Sequence, residues 1–294
     1  QWMLMTNLIK EYLQIYLQRV VSGERKLSPD SIALLSDELI ASAKRQFSNE
    51  KATQKWRPRM SGLGKPLCQQ QLERDGVKVN KKMDYNAVNR FLFGDWLESL
   101  LYVEMKEAGI NVEAYQEKVS LEIAGVKVNG TLDVIIDGKV WDIKTASPYA
   151  YMNKFSNYNK VKDNDPFGYV LQGYLYSAAV DKPFGGWIVM NKSSGELLVC
   201  NAPSIQDEER KAALAKAEYN MTVLQDPTIK IQKLDDEPEM YRKQKTGNRV
   251  LSTTCSFCDF KEHCWPKAEM KYKVASARAN PPMVWYSKYV TEEL

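Results

Sequence analysis

Apolar positions recur along this chain with two different periods, and the switches between them outline the elements. Over residues 6 to 48 the spacing of Leu8, Leu13, Ile15 and Leu17 is helical, and a second helix is predicted to open at Ser28-Pro29-Asp30. Pro and Gly residues break the pattern between Trp56 and Leu67, and a helix resumes from Asn86 to Ala108, where Gly109 ends it. Strand-like alternation follows in Val119 to Ile123, Val126 to Ile136 and Lys139 to Thr145. Ala124-Gly125 and Asp137-Gly138 are read as two-residue turns, giving a meander. Ser147 to Phe167 is polar and aromatic, too long for a tight loop, and reads as a functional or mobile connection. Tyr169 to Val180 then reads as helix, Gly186 to Asn191 and Leu197 to Asn201 as strands, and Ile205 to Gln225 as helix. Asp235 to Glu239 reads as an acidic surface turn. The predicted order is helix, three strands, helix, two strands, an α/β arrangement with helical N- and C-terminal extensions.

Composition adds little to this picture. The 294 residues are 44% hydrophobic and 27% charged, enough for one large core or a core with a smaller appended domain. No run of about 18 apolar residues is present, so neither a membrane span nor a membrane partner is expected, and a cytoplasmic setting is. The net charge of +4 and pI near 8.6 suit a nucleic-acid partner without requiring one. Placement says more. Arg57, Arg59 and Lys65 cluster before Cys68, and Lys154, Lys160 and Lys162 alternate with Tyr149, Tyr151, Phe155 and Tyr158. Cations interleaved with aromatics can hold phosphates and stack bases, or be a solvated loop with scattered tyrosines.

The second turn carries the chemistry. Counting outward from Asp137-Gly138 pairs Ile136 with Lys139, Ile135 with Val140, Val134 with Trp141, and Asp133 with Asp142. The two carboxylates become cross-strand neighbours with β-carbons about 4.5 to 5.5 Å apart, destabilising unless something neutralises them. Lys144 shares the face of Asp142, and the opposite face holds Leu132, Val134, Ile136, Trp141 and Ile143. Mg²⁺ or Mn²⁺ bound to the acids could activate a water for attack on phosphorus, with Lys144 positioning or deprotonating that water or offsetting transition-state charge. The plainer reading is an ion pair at a sheet edge.

On the preceding helix, Phe91, Gly94, Glu98, Leu101 and Met105 form one stripe, so Glu98 interrupts an inward face. It is either a metal ligand or the edge of that face, with Asp95 and Glu104 in solvent. On the later helix Gln172 and Tyr176, four apart, project together, to bond substrate phosphate or to pack a ring in the core with an amide at its rim.

Cys255 and Cys258 form a CxxC, Cys264 follows, and Cys68 lies far upstream. Four thiolates could close one tetrahedral site, and in a reducing compartment metal ligation explains the spacing better than disulfides do. Zn²⁺ and an iron-sulfur cluster both accept four cysteines. Cys200 reads as an inert buried thiol and His263 as a surface residue.

Glu98, Gly130-Thr131-Leu132-Asp133, Asp142-Ile143-Lys144 and Gln172-Gly173-Tyr174-Leu175-Tyr176, in this order, resemble the RecB-like branch of the PD-(D/E)XK nuclease superfamily over about residues 86 to 180. The resemblance implies a restriction-endonuclease-like core. It also implies one or two divalent metals held by Glu98, Asp133, Asp142 and the main-chain carbonyl of Ile143. Many RecB-like members place a histidine shortly before the helix glutamate; here the sequence is Gly94-Asp95-Trp96-Leu97-Glu98, leaving Asp95 or water for that role. The distant Cys68 with the C-terminal triplet is similar to the iron-sulfur staple of AddB-type, CRISPR-associated RecB-like and exonuclease V nucleases, which implies a [4Fe-4S] cluster. The expectation is a metal-dependent DNA exonuclease acting on single-stranded ends, phage-like or bacterial. Residues 1–85 would be a helical segment contributing Cys68, 86–226 the nuclease core, and 227–294 the cysteine segment and tail. Catalysis would rest on Glu98, Asp133, Asp142, Lys144, Gln172 and Tyr176, with Arg57, Arg59, Lys65, Tyr149, Tyr151, Lys154 and Tyr158 touching DNA. No phosphate-loop motif is present, so ATP is not expected. The alternatives are a structure-selective or restriction-type endonuclease on the same fold, or a non-catalytic, metal-stapled DNA-binding adaptor.

Overall fold

The turns at Ala124-Gly125 and Asp137-Gly138 place both central residues at positive φ, between 47° and 73°, as tight antiparallel hairpins require. The computed structural model describes residues 2–48, 56–79 and 86–290. Helices α1 (Trp2–Val21), α2 (Pro29–Gln46), α3 (Leu67–Arg74) and α4 (Asn86–Glu107) precede strands β1 (Val112–Ile123), β2 (Val126–Ile136) and β3 (Lys139–Ala146). Next come α5 (Pro148–Asn153), α6 (Tyr158–Asp163), α7 (Tyr169–Val180), β4 (Phe184–Asn191), β5 (Leu197–Asn201) and α8 (Asp207–Gln225). The chain continues through β6 (Glu237–Tyr241), β7 (Gln244–Val250), α9 (Thr253–Phe257), α10 (Lys261–Cys264), β8 (Glu269–Tyr272) and β9 (Met283–Lys288). At the start of α2 the Ser28 hydroxyl accepts from the Ser31 N–H, satisfying a donor the helix leaves open.

A five-stranded sheet in the order β1-β2-β3-β4-β5 forms the centre, with β3 and β4 parallel and the other pairs antiparallel. On one face Ile9 and Leu13 of α1 and Leu101 and Met105 of α4 pack against Val134, Ile136, Trp141, Ile143 and Ile188. On the other, Leu171 and Leu175 of α7 and Ala217 and Met221 of α8 cover Val128, Leu132, Ile135 and Val140. Covered on both faces, β4 is buried throughout, which explains its unbroken apolar run. Strand β1 starts at Val112, earlier than its alternation suggests, because a register shift between Val112 and Ala114 and a positive φ at Gln116 disturb the period-two pattern.

Three expectations change. The connection from Ser147 to Phe167 contains α5 and α6, and Phe155, Tyr158 and Val161 are buried against Tyr174 and Trp187; three-residue spacing puts Tyr158 and Val161 on one face of α6. The C-terminal extension is not chiefly helical: it forms a second, four-stranded sheet in the order β6-β7-β9-β8, with cysteines on the two short helices. Asp235 to Glu239 is not a surface turn, since Glu239 is 1% exposed within β6. Burial alone would push its carboxyl pKa up, but hydrogen bonds from Tyr286 (2.6 Å), Asn248 (2.8 Å) and Thr246 (2.9 Å) hold it below the ordinary value. No helix among the described residues is long and apolar enough to cross a membrane.

Candidate active site and cysteine cluster

The β2–β3 ladder runs from Ile136 and Lys139 to Val134 and Trp141 and stops one step short of Asp133 and Asp142. On the other side of β2, Tyr115 pairs with Val134 and Glu117 with Leu132, while Gln116, at φ 50°, has no ladder partner. Asp133 therefore sits where pairing opens on both flanks, and its Oδ2 accepts the Ile143 N–H at 2.7 Å. The packing changes phase here. Leu132 joins Met60 and Leu63 instead of sharing the face of Val134 and Ile136, contrary to strict alternation.

Asp142 is 3% exposed. Lys144 Nζ donates to its Oδ1 at 2.8 Å and lies 2.7 Å from Oδ2, which is left without an aligned hydrogen bond. The ammonium meets that oxygen as a charge only. Gln172 Nε2 makes a long contact of 3.4 Å with Oδ1. Glu98 arrives from α4, its Oε1 accepting from the Gln116 amide. Burial, with the negative charges of Asp142 and Asp95 and against the relief from Lys144 and Gln116, raises the Glu98 pKa to about 7. Burial, Glu98 and Asp142 likewise push Asp133 well above an ordinary aspartate. For Lys144 burial opposes the charge, but Asp142 and Asp133 outweigh it and raise its pKa. One lysine thus serves a group of mutually repelling carboxylates.

Around this group the sequence reading needs amendment. Phe91, placed on the inward stripe, is 63% exposed, and Glu104 is not in open solvent: burial raises its pKa to about 7. Asp95 does not turn freely towards the site. It pairs with Arg45 at 2.8 Å and accepts from Gln46. Two neighbours were missed. Tyr169 lies beneath Lys144 Nζ at 5.1 Å from its ring centroid, and Lys154 sits 4.5 Å from the same ring. Tyr169 precedes Gln172 by three residues on one helix, so spacing could have found it. Gln116 gave no such signal, because its reach depends on the backbone kink.

Tyr176 is 3% exposed, its ring against Gly130, where an added Cβ would come within 2.5 Å of the ring. Burial and the charges of Asp133 and Asp142 push its phenol up to about 12. Gln172 and Tyr176 help line an open groove of about 650 Å³, together with Arg59, Lys118, Lys127 and Asn129.

The other suggested DNA contacts are scattered. Arg57 is exposed, Lys65 is paired with Glu73 at 3.2 Å, and Tyr149 is 71% exposed. Tyr151 is half-buried, Lys154 is engaged with Tyr169, and Tyr158 is a core residue whose ring stacks on Trp187. Tyr158 thus has no face to offer a base.

Cys68 on α3, Cys255 on α9, and Cys258 and Cys264 at the ends of α9 and α10 line one narrow, apolar cavity with Lys233 and Trp265. Burial raises the Cys68 and Cys264 thiols, and Cys258 to about 11, with the neighbouring cysteines adding to the shift. Lys233 lies 3.5 Å over the Trp265 ring and donates to the Cys264 carbonyl. Cys200 is buried in β5, its pKa pushed up to about 12 by burial, and His263 is exposed. Among the described residues no group of three or more His, Cys, Asp or Glu is spaced to hold an ion as it stands. The cysteines share a cavity and the acids share a lysine.

No known protein-family pattern matches the chain, and no curated protein matches it. Among solved structures, SSO0001 is similar with a TM-score of 0.44 and 16% identity over 78% of this chain and 96% of its own. A "Putative exonuclease" from Eubacterium rectale is similar with a TM-score of 0.35 and 14% identity, covering 68% of this chain and 86% of its own. Both likenesses are too distant to fix a family or an activity.

Proposed function

We propose that this chain is a RecB-like PD-(D/E)XK nuclease that hydrolyses phosphodiester bonds in DNA as an exonuclease on single-stranded ends. The observation that carries this reading is the convergence of Glu98, Asp133 and Asp142 from α4, β2 and β3 on Lys144, with a buried Asp142 oxygen lacking an aligned donor. A purely structural ion pair needs one carboxylate. Two more acids, held against their own repulsion, suit a hard divalent cation.

The donor set is oxygen throughout, fitting Mg²⁺ or Mn²⁺ at Glu98, Asp133, Asp142 and the Ile143 carbonyl. When bound, such an ion supplies Lewis acidity at the phosphoryl oxygen. The chain's own residues do the rest. Ile143 N–H fixes Asp133. Gln116 restrains Glu98, and Gln172 lies between Asp142 and the groove, placed to orient a phosphate. The ammonium of Lys144, kept charged by Asp142 and Asp133, is better suited to offsetting phosphate charge than to taking a proton.

The four cysteines suit a soft-metal site, a [4Fe-4S] cluster or Zn²⁺, which would pin residues 227–294 and the helical segment 1–85 to the nuclease core 86–226.

Linear and covalently circular single-stranded DNA, offered with Mn²⁺, test the exonuclease assignment. Mononucleotides or short products from the linear strand, with the circle intact, are expected. Nicking of the circle at a comparable rate would instead make this an endonuclease.

A further inference from the structure

We infer that the groove beside Gln172 and Tyr176 binds the phosphate backbone of a single nucleic-acid strand leading to the site, through Lys118 and Lys127 on the β1–β2 hairpin. The inference rests on the nuclease reading of that site and extends it to residues that no sequence motif points to.

The hairpin has two unlike faces. Register pairs Lys118 with Thr131, Ser120 with Asn129 and Glu122 with Lys127, and these polar, exposed residues share one face. The alternate positions Leu121, Ile123, Val126 and Val128 pack into the core below. By register Lys127 lies four steps along the hairpin from Lys118, about 14 Å at about 3.4 Å per residue, close to two phosphate spacings of an extended strand. Lys118, Lys127 and Arg59 all line the groove, and among the described residues no carboxylate does. The nearest acid by register is Glu122, opposite Lys127 and outside the lining.

Gln172, which lines the groove, also reaches Asp142 with its amide. A strand lying in it would deliver a phosphodiester to the acids without a second binding surface. Beyond the end of the β2–β3 ladder, the edge of β2 away from β1 is taken by the segment after Trp56: Arg59 bridges to Asn129 and Met60 N–H donates to the Asn129 carbonyl at 3.1 Å. The groove is therefore bordered by that segment as well as charged. Hydroxyls and amides of Ser120, Asn129 and Thr131 are donors suited to phosphate oxygens and read no base, so the contacts are independent of sequence.

The test is fluorescence anisotropy of labelled oligothymidylate with the full-length protein in EDTA, where cleavage is silent, across a salt series. Wild type is compared with Lys118→Glu/Lys127→Glu and, as a gentler pair, Lys118→Ala/Lys127→Ala. Both side chains replaced are exposed, and melting temperature checks that each variant folds. The alanine pair is expected to flatten the slope of log affinity against log salt by about 1.4, two contacts at about 0.7 each for a single strand. The glutamate pair should weaken binding at least about tenfold. Oligouridylate should show the same slope, and a blunt duplex should bind more weakly and respond less to the substitutions. Unchanged binding in both pairs by a wild type that cleaves with Mn²⁺ would overturn the groove and leave the nuclease reading standing. Strand binding that depends on Lys118 and Lys127 in a protein that cleaves nothing would overturn the nuclease reading instead. An equal loss on blunt duplex would overturn the single-strand assignment.

Discussion

Asp133→Asn is expected to raise the melting temperature of the metal-free protein by several degrees while abolishing metal-dependent cleavage. Burial and the charges of Glu98 and Asp142 already resist ionisation of Asp133. An asparagine oxygen can still accept the Ile143 N–H that Oδ2 accepts at 2.7 Å. The substitution removes a carboxyl whose ionisation folding opposes and keeps the hydrogen bond. Each unit by which folding raises a carboxyl pKa costs about 1.4 kcal/mol at a pH above it, and each kcal/mol moves the melting point of a larger domain by about 2 to 4 °C. The sign with pH follows from the raised folded pKa. Wild type bears no ionisation cost below the unfolded carboxylate pKa, loses stability as pH rises from there through the folded value, and carries the full cost above it. The gain from Asp133→Asn should thus be present at neutral pH and vanish in acid.

Asp142→Asn should do the opposite to stability, because Asp142 is the near partner of Lys144, at 2.7 and 2.8 Å. Leaving a buried ammonium without it costs about 3 to 5 kcal/mol. Calorimetry in EDTA reads both signs. A lower melting point for Asp133→Asn, or retained cleavage, would mean that Asp133 is a structural acid.

Cys68→Ser should have the other large effect, through the cysteine site. Structural metal at four cysteine or histidine ligands is worth about 10 to 16 kcal/mol in isolated fingers, comparable to the whole stability of a domain. Cys68 alone among the four lies outside the C-terminal region. It stands on α3, which is also tied to that region by Gln71, whose amide donates to the Ile229 carbonyl and whose oxygen accepts from Ile231. Losing the thiolate should release the bound metal and expose the segment after α8 to protease, while Cys200→Ala leaves metal content unchanged. Iron and sulfide are expected in anaerobically purified wild type, and one zinc without sulfide would replace the cluster by Zn²⁺. Equal protease resistance and metal content in Cys68→Ser and wild type would exclude a four-cysteine site.

Local rules carried much of the central sheet. The Asp137-Gly138 turn and the Ser28 cap are short-range features, and each appears where its spacing puts it. The alternation failed where tertiary structure takes over. At Asp133 the ladder opens on both sides, so the acids meet through Lys144 and not as a simple cross-strand pair. Tyr158 looked like a stacking ring because its neighbours are lysines, yet its helical face points to Trp187. Glu239 looked like solvent-facing acid, but its three hydrogen-bond donors come from β7 and β9, which no local pattern connects to it. The groove was hidden for the same reason: Lys118 and Lys127 share one hairpin, but Arg59 and Gln172 join them only when α7 and the segment after Trp56 assemble against it.

The most direct test of the central claim is the rate of Mn²⁺-dependent cleavage of end-labelled single-stranded DNA by wild type, Asp142→Asn and Lys144→Ala, each purified free of contaminating nuclease. Cleavage by wild type, abolished by EDTA and reduced on the order of 10³-fold in both variants, is the predicted result; undiminished Mn²⁺-dependent cleavage by either variant would contradict it.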